Sequence, residues 1–280
     1  MTLNEIKDIC QAYQIVPTKS KGQNFLFDEN IVEKIITSAN LDKQDTVLEI
    51  GPGLGVLTEH LVEKSGQVIA VELDRKLLGF LHQKYSQVNN LEIVEGDILK
   101  LNIASLNLQT PYKIVANLPY NITSNFIRNF LETASPPSEM IIMIQKEVAQ
   151  RIVAKPGAMS LLSLSVQFYA EPKILFAVGR GSFWPSPKVD SAVISLKLKS
   201  QPVFGDSKLF FKIAKIGFSA KRKQLHNNLA NGLHLKSDQV KAMIKKIGLN
   251  EKIRAQDLAI EDWIRLLQKH EITKTQKTND

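Results

Sequence analysis

An apolar strand that runs into a glycine-rich turn most constrains how this chain folds. Residues 46–50, Thr-Val-Leu-Glu-Ile, read as a buried strand, and residues 51–55, Gly-Pro-Gly-Leu-Gly, lead into a helical pattern over 56–62. Glycines let the backbone turn sharply and approach a ligand closely, while the following helix presents free amide groups. Strand, glycine turn and helix together predict an open α/β sheet with a ligand site at the carboxyl end of its strands.

The spacing of the glycines points to one class of ligand. A dinucleotide fingerprint requires G-x-G-x-x-G, whereas residues 49–55 read Glu-x-Gly-x-Gly-x-Gly, the pattern typical of S-adenosylmethionine sites. A second strand over 68–71 ends in Glu72, whose carboxylate suits the ribose hydroxyls, and a third over 91–94 leads to Asp97, which suits the adenine amine. Either acidic residue alone is more often solvated surface, but their order after successive strands favours one ligand.

The tetrapeptide Asn117-Leu118-Pro119-Tyr120 follows an apolar run over 113–116 that reads as a buried strand. These residue types suit methylation of an exocyclic amine, because its lone pair is delocalised into the ring and must be localised before it attacks. The Asn117 side-chain oxygen and a backbone carbonyl of Leu118 or Pro119 are suited to accept the amine hydrogens. Tyr120 offers a flat face on which an extruded base stacks. Asn-x-Pro is also a common turn signal, so the tetrapeptide alone leaves both interpretations open.

Three further segments add a resemblance to a known family. They are Gly-Gln-Asn-Phe-Leu at 22–26, Ile-Gln-Lys-Glu-Val-Ala-Gln-Arg at 144–151, and Phe-Trp-Pro-Ser-Pro-Lys-Val-Asp-Ser at 183–191. With the segments above, the chain resembles the KsgA/RsmA family of small-subunit (16S) rRNA adenine N6,N6-dimethyltransferases over nearly its whole length. The resemblance implies an α/β fold, a Rossmann-like class I methyltransferase sheet with helices on both faces, plus a small all-helical C-terminal domain. One departure is Asn125, where relatives commonly carry a proline.

The resemblance also implies roles for individual residues. The target adenine would lie between Tyr120 and Phe183. The expected catalytic residues are Asn117, Leu118, Pro119, Tyr120 and Phe183. The residues expected to bind S-adenosyl-L-methionine are Gln23, Asn24, Leu26, Gly51, Gly53, Glu72, Leu73, Asp97, Ile98 and Asn117.

The activity implied by the resemblance is methyl transfer from S-adenosyl-L-methionine to N6 of two adjacent adenosines near the 3′ end of 16S rRNA. The partner would be the small ribosomal subunit or its precursor, with a role in subunit biogenesis. One alternative is a large-subunit rRNA adenine N6-methyltransferase that confers antibiotic resistance, which residues 183–191 and the helical C-terminal part disfavour. Another is a non-catalytic nucleic-acid-binding assembly or transcription factor, which would not need Glu72 and Asn117. The glycine spacing argues against a dehydrogenase.

The charge of the chain supports a nucleic-acid substrate. There are 36 Lys and Arg against 28 Asp and Glu, which gives a formal charge of +8 and a pI near 9.4. This balance is typical of proteins that bind a phosphate backbone, and Lys19 and Lys21 make the N-terminal arm basic. The triplet 221–223 is equally consistent with a solvated helix face. The expected RNA contacts are Lys146, Arg151, Lys188, Lys221, Arg222 and Lys223.

Cysteine and histidine usage disfavours several other classes of protein. The single Cys10 excludes an intramolecular disulfide, and the 5 histidines lack metal-site spacing. Hydrolytic deamination needs a metal-activated water and is therefore disfavoured. The sequence shows no N-terminal targeting pattern and no apolar run of membrane length. We expect a soluble, cytoplasmic monomer without a metal.

The order of sequence patterns predicts two domains. Strand and helix patterns alternate over about 46–152, which indicates a mostly parallel sheet. Apolar runs at 161–168, 174–178 and 192–198 read as further strands that end the sheet with an antiparallel edge. Helical periodicity follows. The expected domains are a catalytic, cofactor-binding domain over 1–202, a helical RNA-binding domain over 203–270, and a disordered tail over 271–280.

Overall fold

The computed structural model describes residues 1–18 and 22–268 of the chain. Lys19, Lys21 and the predicted tail at 271–280 lie outside the described residues. The chain divides into two compact units. The first comprises Met1–Ala149 and Glu171–Leu198, and the second comprises Gln150–Ala170 and Lys199–Asp280.

Most of the strands belong to one mixed sheet. The strands of the described residues are β1 (Phe25–Leu26), β2 (Thr46–Ile50), β3 (Gln67–Glu72), β4 (Leu91–Glu95), β5 (Tyr112–Asn117), β6 (Glu139–Gln145), β7 (Ala170–Val178), β8 (Phe183–Trp184) and β9 (Ser191–Leu198). Seven strands form the sheet in the order β4-β3-β2-β5-β6-β9-β7. The pairs from β4 to β6 are parallel, and β9 is antiparallel to β6. The strand order reverses between β2 and β5, where an open α/β sheet forms its ligand crevice.

Helices connect the strands and form most of the rest of the described chain. They are α1 (Leu3–Ala12), α2 (Glu29–Ala39), α3 (Val56–Lys64), α4 (Arg75–Lys84), α5 (Thr123–Leu131), α6 (Lys146–Ile152), α7 (Leu161–Tyr169), α8 (Ser207–Gly217), α9 (Leu225–Leu233), α10 (Ser237–Lys246) and α11 (Ile260–Gln268). Short 3₁₀ turns occur at Ile103–Leu106, Arg180–Ser182 and Ala255–Asp257. Connections between parallel strands are right-handed as a rule, and in this sheet they run toward opposite edges on the two sides of the reversal between β2 and β5. Connections of this kind place helices on both faces of the sheet. The predicted α/β class is confirmed.

A separate two-stranded sheet joins two distant segments. Phe25 of β1 pairs with Trp184 of β8, and Leu26 pairs with Phe183. Successive side chains of a strand point to opposite sides, so the two pairs enter different apolar clusters. Leu26 and Phe183 pack with residues of the main sheet, whereas Phe25 and Trp184 pack with residues of α1 and α4.

The second unit is helical and packs around an aromatic core. Trp263 is 1% exposed and stacks on Phe218, with ring centroids 5.7 Å apart. Gly217 makes room for the Trp263 ring, because a Cβ atom at this position would clash with it. The fully buried members of the core include Leu164, Phe168, Phe210, Ile213, Ala214, Leu225, Leu229, Val240, Ile244, Leu258, Trp263 and Leu266.

The interpretation of 161–168 as a strand is wrong, because this segment forms helix α7. A capping box begins the helix: Ser163 N donates to Ser160 Oγ at 3.3 Å, and Ser160 N donates to Ser163 Oγ at 2.7 Å. These bonds satisfy amide groups that the first turn of a helix leaves free. A short apolar run does not distinguish a strand from a buried helix by periodicity, so the serine cap is the deciding signal.

The position of α7 also changes the expected domain boundary. Leu164 and Phe168, four residues apart, pack together in the core of the second unit. The segment Gln150–Ala170 therefore belongs to the second unit and not to a continuous domain over 1–202. The sheet-forming unit takes its last strands from residues beyond this insertion.

The central strand β2 is buried along its whole length and includes a carboxyl group. Glu49 is 1% exposed, and its Oε2 accepts a hydrogen bond from Thr58 Oγ1 at 2.7 Å. Burial outweighs this hydrogen bond and, with the nearby carboxylate of Glu72, raises the pKa of Glu49 from 4.5 to about 8. The folded chain therefore holds a proton at neutral pH that the unfolded chain releases.

We predict that this carboxyl makes the folded state less stable as pH rises. Between the unfolded pKa of 4.5 and the folded pKa of about 8, the folded state binds more protons, so the free energy of unfolding falls with increasing pH. From pH 5 to pH 8, this carboxyl lowers the free energy of unfolding of the wild-type chain by on the order of 3 kcal/mol. Glu49→Gln is expected to remove that pH-dependent loss. Urea unfolding at the two pH values measures the effect.

Glu92→Gln is the matched control, because Glu92 lies exposed on β4. An equal change in pH dependence for both variants would contradict the assignment to Glu49.

Candidate active site

One cavity of the first unit lies where β2, β3, β4 and β5 end. It collects the residues predicted to bind the cofactor, although they come from five separate parts of the sequence. Its lining includes Gln23, Asn24, Leu26, Gly51, Gly53, Glu72, Leu73, Asp97, Ile98 and Asn117. Leu118, Pro119 and Tyr120 line the same cavity. The tetrapeptide and the cofactor residues therefore share one site, as the order of motifs predicts.

The glycine turn brings the backbone itself into this cavity. Gly51, Gly53 and Gly55 have φ angles of +62°, +61° and +77°, which only glycine adopts readily. Gly55 is further restricted by Tyr85, whose hydroxyl donates to the Gly55 carbonyl at 2.8 Å and occupies the space of a side chain. At Gly51 and Gly53 no side chain stands between the backbone and the cavity, which suits close approach of a ligand.

The carboxylate of Glu72 ties the end of β3 to the glycine turn. Its Oε2 accepts from Gly53 N at 3.2 Å, and its Oε1 accepts from Leu73 N at 2.8 Å and from Asp74 N at 2.9 Å. Glu72 is 7% exposed, and burial raises its pKa despite these three bonds. The group is oriented by the backbone, and its remaining lone pairs suit the hydroxyl groups of a ribose.

Asp97 occupies the next strand end with a more open environment. Its Oδ1 accepts from Leu99 N at 3.0 Å, and its Oδ2 lies 3.6 Å from Lys100 Nζ. Ile98 beside it is buried and contributes an apolar wall of the cavity. A carboxylate next to an apolar wall suits an adenine ring and its amine.

Two further acidic residues line the cavity without having been predicted as ligand contacts. Asp74 accepts from Gln23 Nε2 at 3.1 Å and from Lys76 N at 3.0 Å, which caps α4. Its position before a helical pattern is the sequence signal that could have identified it. Glu49 opens the glycine motif itself, and its place in the spacing was the available signal.

Asn117 is oriented by the N-terminal segment. Its Nδ2 donates to the Asn24 carbonyl at 3.3 Å, which leaves Oδ1 as an acceptor. Pro119 O accepts from Ile122 N at 3.2 Å and from Thr123 Oγ1 at 3.4 Å, so both of its lone pairs are used. Of the two backbone acceptors considered for the amine, the carbonyl of Leu118 is therefore the better candidate.

The ring of Tyr120 is held at its hydroxyl end. The hydroxyl group and Ser191 Oγ lie 2.6 Å apart, and burial raises the pKa of Tyr120. The phenol therefore stays neutral at physiological pH. Its ring is half-buried at the cavity and is available for stacking.

Phe183 is not among the residues that line the cavity. It is 3% exposed and packs in the apolar cluster beneath the main sheet, because the pairing of β8 with β1 turns its side chain inward. With the Phe183 side chain in the core, Tyr120 and Phe183 do not face each other across a space for a base, as the prediction required. Asn125, the departure from a common proline, lies exposed in the first turns of α5, which forms without that proline.

The predicted RNA-contacting residues are all exposed. Lys146 and Lys188 belong to the first unit, and Arg151 belongs to the second. Lys221, Arg222 and Lys223 form the turn that precedes α9. Asn228 holds this turn through its Nδ2, which donates to Gly217 O at 2.6 Å and to Ala220 O at 3.1 Å. Three cations are thus presented on a fixed backbone.

Two negative findings apply to residues 1–18 and 22–268. These residues include no group of three or more His, Cys, Asp or Glu side chains arranged to hold a metal ion. None of their helices combines the length and the apolar character needed to cross a bilayer.

Comparisons with known proteins identify relatives of this chain. The family model "Ribosomal RNA adenine dimethylase" matches residues 17–271. The chain is 44% identical over 262 residues to ribosomal RNA small subunit methyltransferase A of Dehalococcoides mccartyi, with 92% of this chain and 90% of the relative covered. It is 38% identical over 268 residues to the protein of the same name from Clostridioides difficile, with 93% of each covered.

Solved structures show the same fold over most of the chain. A dimethyladenosine transferase from Plasmodium falciparum has a TM-score of 0.78 at 28% identity, with 90% of this chain and 98% of that chain covered. The 23S rRNA methyltransferase ErmE has a TM-score of 0.73 at 27% identity, with coverage of 88% and 98%. From the family match and these relatives, the chain belongs to the ribosomal RNA adenine dimethylase family.

Proposed function

We propose that this chain methylates N6 of two adjacent adenosines near the 3′ end of 16S rRNA, in the small subunit or its precursor. As a member of its family, the chain is an S-adenosylmethionine-dependent rRNA adenine dimethyltransferase. The small-subunit target is supported by the names of relatives at 38% and 44% identity. The observation that carries the chemistry is Asn117, fixed by Asn24 with its amide oxygen left as an acceptor in the cavity.

The residues of the cavity fit S-adenosylmethionine. The positive-φ glycines leave a cradle for close backbone approach, and Glu72 and Asp97 supply carboxylates at successive strand ends. Leu73 and Ile98 add apolar surface beside these carboxylates. When bound, the cofactor supplies an electrophilic methyl group on a sulfonium.

The tetrapeptide prepares the adenine amine as a nucleophile. Asn117 Oδ1 and the Leu118 carbonyl accept its two hydrogens and localise the nitrogen lone pair, while the face of Tyr120 orients the ring. In this alignment the nitrogen would receive the methyl group that bound S-adenosylmethionine supplies, and its proton would then pass to water. No strong general base is needed. After the first transfer, one hydrogen remains on the nitrogen, so the second transfer proceeds with one such bond.

The helical unit supplies basic surface for folded RNA. We assign phosphate contacts to Arg151, Lys221, Arg222 and Lys223 in the second unit, and to Lys146 and Lys188 in the first. Phosphate contacts position a protein on RNA, whereas shape and ease of unstacking select the adenine. We further propose that the protein acts as a cytoplasmic monomer and that binding to an immature subunit contributes to subunit biogenesis.

A large-subunit target is the second candidate. The 23S rRNA methyltransferase ErmE shares the fold, but at 27% identity it is less similar than the small-subunit relatives at 38–44%. The test incubates the chain and labelled S-adenosylmethionine with purified small and large subunits that lack this methylation. It distinguishes a small-subunit target from a large-subunit target. Dimethyladenosine confined to the small subunit supports the proposal, and label in the large subunit contradicts it.

Asn117→Ala is predicted to lower kcat for methyl transfer by about 100-fold, because it removes the side-chain acceptor of the amine hydrogens. Labelled methyl transfer at saturating cofactor measures kcat separately from cofactor affinity. Asn129→Ala is the control, since Asn129 lies exposed on α5. Full methyl transfer by Asn117→Ala would contradict the mechanism.

Glu72→Gln is predicted to weaken S-adenosylmethionine binding by about 10- to 100-fold, because the amide places a donor against backbone N–H groups and removes the charge. Titration calorimetry measures the dissociation constant. Glu95→Gln is a matched control: Glu95 pairs with Glu72 across β3 and β4 but is exposed and bonded to Arg75. Equal losses in both variants would rule out a specific role for Glu72.

Replacing Lys221, Arg222 and Lys223 together with alanine is predicted to make the salt dependence of RNA binding shallower. Loss of three phosphate contacts reduces the slope of log K against log salt by about 2. The control replaces Lys208, Lys212 and Lys215, which are exposed on α8 in the same unit and carry the same charge. If the control changes the slope as much, the triplet has no special role.

A further inference from the structure

The segment 183–191 contacts the tetrapeptide through its last residue. Phe183 lies in the core, but Ser191 Oγ is 2.6 Å from the Tyr120 hydroxyl. Ser191 is 0% exposed, so water does not compete for this hydrogen bond. A buried hydroxyl without a hydrogen-bond partner costs free energy. Loss of either hydroxyl would therefore leave the hydroxyl of the other residue without its partner.

The backbone around this contact is fixed from the side of the sheet. Ser191 is the first residue of β9 and pairs with Gln145 at the end of β6. The preceding residue, Asp190, accepts from Lys146 N at 3.0 Å through its carbonyl. On the same strand β6, the Met143 carbonyl accepts from Leu118 N at 3.2 Å. The end of β6 thus holds both the serine and the tetrapeptide.

The hydroxyl oxygen of a tyrosine lies on the axis about which the ring turns. A hydrogen bond there therefore fixes where the ring lies, and it restricts ring rotation only through the preference of the O–H bond for the ring plane. We propose that Ser191 is a positioning residue that holds the Tyr120 ring at the place where the target adenine stacks. The proposal rests on the methyltransferase function proposed above. Ser191 does not touch the substrate and acts only through Tyr120.

The second methyl transfer depends on this positioning more than the first. The unmethylated amine has two hydrogens to bond to Asn117 and Leu118, whereas the monomethylated amine has one. Stacking on Tyr120 then carries a larger share of the orientation of the base. Loosening the ring is therefore expected to cause monomethyladenosine to accumulate.

The test compares Ser191→Ala, Tyr120→Phe and the double variant. Each single variant removes the same hydrogen bond from one side, and each is expected to slow the second transfer about 3- to 10-fold. The double variant is expected to be no slower than the slower single variant, because residues that share one interaction are not additive. Single-turnover reactions with nucleoside mass analysis give the ratio of mono- to dimethyladenosine.

Ser195→Ala is the matched control. Ser195 lies four residues further along β9 on the same side, is 8% exposed, and donates to Glu139 Oε1 at 2.5 Å. It is expected to lower the thermal midpoint without changing the product ratio. The cofactor dissociation constant, measured for every variant, is expected to stay within about 2-fold of wild type.

Four results would overturn the proposal. Ser191→Ala with the wild-type product ratio would exclude the positioning role, as would additive losses in the double variant. A product ratio shifted equally by Ser195→Ala would assign the effect to general loss of stability. Absence of methyl transfer to rRNA by the wild-type chain would overturn the proposed function together with this inference, whereas the first three outcomes leave the function intact.

Discussion

The carboxylate of Glu72 accepts hydrogen bonds from three backbone amides, one in the glycine turn and two at the end of its own strand. Parallel pairing of β2 with β3 brings these segments side by side, because the carboxyl ends of parallel strands meet at one edge. Glu72 is buried, so the amides have no competing water. The shape of the cofactor cavity follows from this contact, and the left-handed glycines allow the turn to approach it.

The tetrapeptide is held from two directions. The N-terminal segment fixes the amide of Asn117 through the Asn24 carbonyl, and strands β6 and β9 fix Leu118 and Tyr120 through Met143 and Ser191. Both supports reach the loop from positions distant in the sequence. Preorganisation of this kind suits methylation of a weak nucleophile, which depends on close alignment of the reacting atoms.

The cavity is lined by acidic side chains, whereas the chain as a whole is basic. Glu72 and Asp97 supply carboxylates to the cavity, and Glu49 beside them holds its proton at neutral pH because burial raises its pKa. Basic side chains are exposed, including the triplet in the turn before α9, and the whole chain carries a formal charge of +8. An acidic cavity suits a cationic methyl donor, and a basic exterior suits a polyanion. The basic overall charge therefore suits binding to RNA, and the acidic side chains of the cavity suit binding of the cofactor.

Local signals in the sequence determined the glycine turn, the strand β2 and the order of the acidic residues, because adjacent residues encode backbone dihedrals, caps and periodicity. Those signals were enough to place Glu72, Asp97 and Asn117 at one cavity. Tertiary structure alone decided that Leu164 and Phe168 pack in the core of the second unit, that Phe183 faces the core of the first, and that Ser191 supports Tyr120. These outcomes depend on which distant surfaces a side chain packs against. That choice is made by the pairing of whole strands and helices, which no local pattern records.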